Sequence, residues 1–208
     1  MDIDLLLPFL TASMALTILP GPDILYVLTE SITKGQKTGI AISAGLVSGV
    51  FIHTLLATTG VSLVLKRSEL AYQLLSYIGA TYLFYLAYLS TKEPQKEWLT
   101  PNNGHETTFY FWDLYKKGLL MNVLNPKVSL FFIAFLPQFV NPSFGNPTIQ
   151  MLILGVIFMF QAFAIFSIVA LTSATIMTQV RTPKFWKTTK WLKVLILTTL
   201  GFGLLLTS

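Results

Sequence analysis

Pro20-Gly21-Pro22-Asp23 and Asn125-Pro126-Lys127 each interrupt a long apolar run near its middle, and each puts one ionisable residue at the break. Pro20 lacks a backbone donor and its ring clashes with the preceding turn, so a helix arriving from the N-terminal side ends there. Gly21 tolerates whatever dihedrals follow, and Pro22 suits the first position of a new helix. Asn125 and Pro126 repeat the pattern as N-cap and first helical residue. Hydrocarbon cannot hydrogen-bond the backbone groups that a break frees, so a break inside a membrane faces protein or a water-filled cavity. Interrupted segments at matching places in two halves of a chain are the sequence mark of a transporter's substrate site.

The rest of the chain fits that setting. Of its 208 residues 53% are hydrophobic and 11% charged, against about 25% charged in soluble domains. Apolar segments run over about 5–33, 39–65, 70–90, 109–140 and 148–178. A sixth run, 194–206, is short and spans only if residues 186–193 add a turn or more, their lysines reaching the interface. The expected fold is an all-α polytopic membrane protein of six transmembrane helices. These form two inverted three-helix repeats, with the first and fourth helices broken at the midplane. One transmembrane domain then covers 1–208, as repeat 1 (about 1–91), a cytoplasmic linker (about 92–108) and repeat 2 (about 109–208). An odd number of spans per half makes the second half enter from the opposite side.

With six spans, one side receives Lys34, Lys37, Lys92, Lys96, Lys116, Lys117, Arg181, Lys184, Lys187, Lys190 and Lys193, and the other only Lys66 and Arg67. The positive-inside rule makes the first side cytoplasmic, so both termini face out. The net charge of +5 therefore speaks of topology, and no nucleic acid is expected. The absence of cysteine excludes disulfides and thiol chemistry. Met1-Asp2-Ile3-Asp4 lacks the basic start of a secretory signal, so the first helix is expected to be retained.

The charges at the breaks are the candidate machinery. Asp23 falls in the first turn of its half-helix, where the dipole favours it by roughly 0.3–1 kcal/mol. An acid at the centre of a membrane helix costs roughly 2.5–3.5 kcal/mol, which a capping role alone does not justify. Lys127 opposes the dipole of its half-helix, and at 16 residues after Phe111 and 12 before Phe139 it is too deep to snorkel. An anion must compensate it, either Asp23 or a substrate carboxylate. In an inverted arrangement both half-helix N-termini meet near the midplane, a place suited to a carboxylate. Ala41, Gly45, Gly49, His53 and Ala57 make a small-residue stripe for close helix packing. His53 on that stripe faces protein, as a hydrogen-bonded neutral imidazole or as a proton relay. Asn122, Gln138 and Gln161 either bridge helices or line the cavity. No phosphate loop, metal-ligand pair or Ser/His/Asp set is present.

On these residues the chain resembles the LysE/RhtB family of bacterial amino-acid exporters. The matching parts are Leu19-Pro20-Gly21-Pro22-Asp23, the Gly45/Gly49/His53 series, Gly118 with Asn122, Asn125-Pro126-Lys127, Phe131-Phe132 and Phe135-Leu136-Pro137-Gln138-Phe139. The resemblance implies efflux of amino acids such as homoserine, threonine, leucine or lysine, driven by proton exchange and without a cofactor. The family often has Asn where Asp23 stands. The expected site has Lys127, Asn125, Asn122 and Gly21 around the substrate, Asp23 on its ammonium group or a proton, and His53 with Asp23 in proton coupling. The expected partners are an amino acid and the bilayer, with a homodimer left open. The rival readings are a divalent-metal exporter of related fold and an intramembrane enzyme or assembly factor.

Overall fold

The computed structural model describes residues 3–67, 69–92, 110–180 and 182–206, and every regular element among them is helical. The chain starts with α1 (Ile3–Ile18), stops over Leu19–Gly21, and restarts as α2 (Pro22–Lys34) at a bend of 54°. α3 (Gln36–Arg67) and α4 (Glu69–Lys92) follow. The expected linker lies outside the described residues except for Lys92. α5 (Phe111–Val123) then breaks at Leu124–Asn125 and restarts at Pro126, bent by 52°. The two breaks sit where the prolines place them, and their bends nearly match.

The restart after Pro126 is not the plain half-helix that capping predicts. α6 (Pro126–Leu130) passes into a π-helical turn, Phe131–Phe135, and a 3₁₀ turn, Leu136–Phe139. Pro137 is the cause. It cannot donate back along an α ladder, so the turn before it widens, with Leu136 N–H bonded to Phe131 O, and the turn after it tightens. Rings fill the widened turn: Phe131 stacks on Phe135 at 5.7 Å, and Phe9 of α1 packs on Phe139 at 5.4 Å.

α7 (Pro147–Leu171) is capped by Asn146 and ends sooner than the expected 178. The Thr172 hydroxyl bonds back to Ile168 O, and α8 (Ser173–Val180) starts anew from the Thr172 carbonyl. α9 (Pro183–Leu206) is one continuous helix, so Trp186 to Lys193 do extend the short apolar run.

Three helices are each long and apolar enough to cross a membrane, in the stretches Gln36–Gly60, Pro147–Leu171 and Lys184–Leu206. Counting each bent pair as one span raises the number to five. The weak candidate is thus α4, not α9. Tyr72, Tyr77, Tyr82, Tyr85, Tyr88 and Gln73 dilute its apolar content.

The small-residue stripe of α3 lets α5 cross it at backbone contact. A Cβ on Gly45 would overlap the Tyr115 carbonyl, and one on Gly118 would overlap the Ile42 carbonyl. One turn on, Gly49 accepts the Asn122 side chain, which a Cβ would meet at 2.7 Å. α7 packs on the same helix through Gly155, which faces Thr54. This crossing sets the height at which the second break meets the first.

Gly45→Leu and Gly118→Leu are therefore expected to destabilise the protein by about 1–3 kcal/mol or more through overpacking. Gly60→Ala, with nothing within 4 Å of its new methyl, should be neutral or stabilising. Thermal unfolding in detergent checks this; a Gly45→Leu variant melting with the wild type would contradict it.

Candidate functional site

A proline in a helix leaves the carbonyl four residues back without its N–H partner, and each break here is completed at that carbonyl. Pro20 orphans Leu16 O, and the Lys127 ammonium donates to it at 3.0 Å. Pro126 orphans Asn122 O, which accepts from the His53 ring at 3.0 Å and from Asn125 N–H at 2.9 Å. Because a carbonyl only accepts, His53 Nε2 carries its proton and donates. Each repair comes from a different element: α6 serves α1, and α3 serves α5. Leaving such a buried carbonyl unsatisfied costs about 1–3 kcal/mol.

The breaks are also joined directly. Asn125 Oδ1 caps Lys127 N–H at 3.0 Å, which fixes the amide's orientation, and its Nδ2 donates to Asp23 Oδ2 at 2.7 Å. Asn125 thus stands between Asp23 and Lys127, which make no direct ion pair of the kind that joins Lys34 to Glu30 at 2.8 Å. Asp23 still attracts the Lys127 ammonium across that amide. Lys127 also lies at the C-terminal, negative end of α1, which offsets the positive N-terminus of its own helix. Gly21 lies against that ammonium, where a Cβ would be in ordinary contact with Lys127 Nζ at 3.4 Å. The N-terminus of α2, after Gly21, carries no side-chain cap.

Asp23, Asn122, Lys127, Thr17, Val50 and Phe158 are among the walls of a closed cavity of about 20 Å³. At roughly 10–15 Å³ for one water, that space holds a water or two and no amino acid. The rest of the wall is apolar, including Leu16, Ala162 and Phe166. Asp23 and Asn122 are 5% and 2% exposed. The structure thus gathers Gly21, Asp23, Asn122, Asn125 and Lys127 at one place, with His53 behind Asn122 and stacked on Phe132 at 6.1 Å. Gln138 instead bonds back to Ala134 O in its own segment. Among the described residues no three His, Cys, Asp or Glu side chains gather as a metal site would require.

The family model described as LysE type translocator matches residues 14–208. The chain belongs to the LysE type translocator family. It is similar to an uncharacterized membrane protein of Pseudomonas aeruginosa, 35% identical over 147 residues that make up 67% of this chain and 66% of the relative. An uncharacterized membrane protein of Bacillus subtilis is 30% identical over 72% of this chain and 74% of its own length. A leucine efflux protein of Salmonella typhimurium is 28% identical over 85% and 82%. No solved structure matches the chain. This translocator is a multi-pass membrane protein and not an enzyme.

For this LysE-type chain, residue types alone missed one contact. Leu16 takes part through its backbone, so nothing in its side chain marks it; counting four residues back from Pro20 finds it. Gln161 of α7 donates to Thr17 of α1 at 3.0 Å, one of the two alternatives the sequence left open for it.

His53→Leu removes one of the two donors to Asn122 O and leaves Asn125 N–H, whereas His53→Gln can keep both. We expect His53→Leu to cost about 0.5–1.5 kcal/mol of stability and His53→Gln clearly less. Equal losses in the two variants, read by thermal unfolding, would contradict the capping role.

Proposed function

We propose that the chain exports neutral, apolar amino acids from the cytoplasm across a bacterial inner membrane in exchange for protons. The observation that carries this reading is the Asn125–Asp23 bond, which brings two helix breaks together beside Lys127 in one cavity. Among the cavity walls Asp23 is the single acid and Lys127 the single base. They match the two charges of a zwitterion and leave none for a charged side chain. The apolar wall of Val50, Phe158, Ala162 and Phe166 and the leucine efflux relative support a side chain like that of leucine.

The mechanism follows from which bonds a substrate would replace. Its carboxylate draws Lys127 away from Leu16 O and meets the uncapped N-terminus of α2. Its ammonium group displaces Asn125 from Asp23. Both contacts that tie the breaks together are then exchanged for contacts to substrate, and the closed cavity opens. After release, a proton on Asp23 neutralises the acid for the return, which couples export to the gradient. His53, committed to Asn122 O, positions Asn122 in this scheme.

The same reading places six spans in two inverted repeats, about 1–91 and 109–208, with both termini periplasmic. α4 supplies the third span: its 24 residues reach about 36 Å, against about 30 Å of hydrocarbon. The packing pattern supports the repeat. α3 lies on α7 and α4 on α9, while the contact of α3 with α5 is answered by that of α7 with α1 and α2. Exchanging the halves maps α3–α7 and α4–α9 onto themselves, although α3 packs on α5 far more extensively than α7 does on α1 and α2.

Proteoliposomes loaded with labelled leucine and given a pH gradient test the function. Lys127→Met should slow efflux roughly tenfold or more, as loss of a charge-assisted hydrogen bond of about 1.5–3 kcal/mol requires. The Asp23→Asn/Lys127→Met pair should be inactive though inserted. If the two charges only neutralised each other, the pair would be milder than either single variant. Near-normal gradient-driven efflux by Lys127→Met would sink the proposal.

A further inference from the structure

Three buried oxygens at and beside the closed cavity have no hydrogen-bond donor: Asp23 Oδ1 and Asn122 Oδ1 on two wall residues, and Gln161 Oε1 on a residue bonded to a third, Thr17. Their residues are 5%, 2% and 9% exposed, so bulk water does not serve them. Two of the orientations are fixed by partners. Asp23 has its other oxygen on Asn125, which leaves Oδ1 over. The Thr17 hydroxyl donates to Ser13 O at 2.8 Å, so its oxygen can only accept, and the Gln161 group facing it must be the NH₂. The Gln161 carbonyl is therefore the end left without a partner. Asn122 and Asp23 line the cavity, and so do Thr17 and the α7 residues Phe158, Ala162 and Phe166 that share a buried face with Gln161.

Three acceptors with no donors are the complement of a group that only donates. A water molecule brings two donors and needs donors in return. A primary ammonium brings three N–H groups, no acceptor, and a positive charge to set against Asp23. We infer that Asp23, Asn122 and Gln161 together receive the three N–H groups of the substrate's primary ammonium, and that Gln161 is the residue that makes the third N–H a requirement. This rests on the substrate being an amino acid, as proposed above, and adds a selection rule: N-alkylated amino acids are poor ligands. It also gives α7 a part in recognition beyond its apolar wall.

The test is competition against labelled leucine on the full-length protein in nanodiscs, with leucine, N-methylleucine and isoamylamine as competitors. The last keeps the ammonium and lacks the carboxylate. Wild type should bind N-methylleucine at least about tenfold more weakly than leucine. Gln161→Leu should bring that ratio to within about twofold and leave the penalty for isoamylamine unchanged. Gln161→Glu keeps an oxygen in place and should keep the discrimination, which serves if Gln161→Leu fails to fold. An unchanged ratio in Gln161→Leu, lost discrimination in Gln161→Glu, or equal wild-type binding of leucine and N-methylleucine overturns the inference alone. Leucine binding that requires sodium and ignores N-methylation would assign the oxygens to a metal cation and overturn it too. Wild type that binds no amino acid overturns both the inference and the function on which it rests.

Discussion

A carbonyl inside a membrane needs a donor, and a proline four residues later takes its donor away. Leu16 and Asn122 are left in that state by Pro20 and Pro126, and the chain answers with Lys127 at the first and with His53 and Asn125 N–H at the second. Much of the architecture at the site follows from these two repairs. Lys127 can reach Leu16 only if the second break lies against the first, and His53 can reach Asn122 only if α3 and α5 cross closely. The glycines at 45, 49 and 118 make that crossing possible.

The repairs also differ in a way that suits transport. His53 completes its carbonyl with a ring locked between Asn122 and Phe132, a contact suited to staying in place. Lys127 completes its carbonyl with a flexible, charged donor, and a carboxylate would offer it a full opposite charge where the carbonyl offers only a dipole. Asn125 likewise holds Asp23 with a neutral amide that an ammonium could replace. In the proposed mechanism, the bonds that join the two breaks are of the kind a zwitterion outcompetes. In this account, binding energy goes into opening the contact between the halves, as a ligand that shifts a conformational equilibrium must do.

Much of this was legible in the sequence because proline and glycine act locally. The two breaks, the stripe on α3 and the assembly of Asp23, Asn122, Asn125 and Lys127 all follow from residue types at particular spacings. What escaped has physical reasons. The contact of Lys127 with the C-terminal end of α1 went unread, because a dipole end has no residue type. The π and 3₁₀ turns after Pro126 depend on Pro137 acting backwards along the chain. The end of α7 at Leu171 turns on the Thr172 hydroxyl competing for the backbone, which hydropathy does not register. The length of the unbroken apolar run also undervalued α9. The basic start of α9 is helical and lengthens it, while the tyrosines of α4 make a long helix look less like a span. That the cavity is closed depends on packing among α1, α2, α6 and α7, which no local pattern encodes.

The central claim is that a substrate carboxylate takes Lys127 from Leu16. Solid-state NMR measures this contact directly, as dipolar dephasing between ¹⁵Nζ-labelled lysine and carboxyl-¹³C leucine in the reconstituted protein. The account predicts a contact of about 3–4 Å, the reach of a charge-assisted hydrogen bond, that vanishes in Lys127→Met. No dephasing with leucine bound, or dephasing that persists in Lys127→Met, would contradict it.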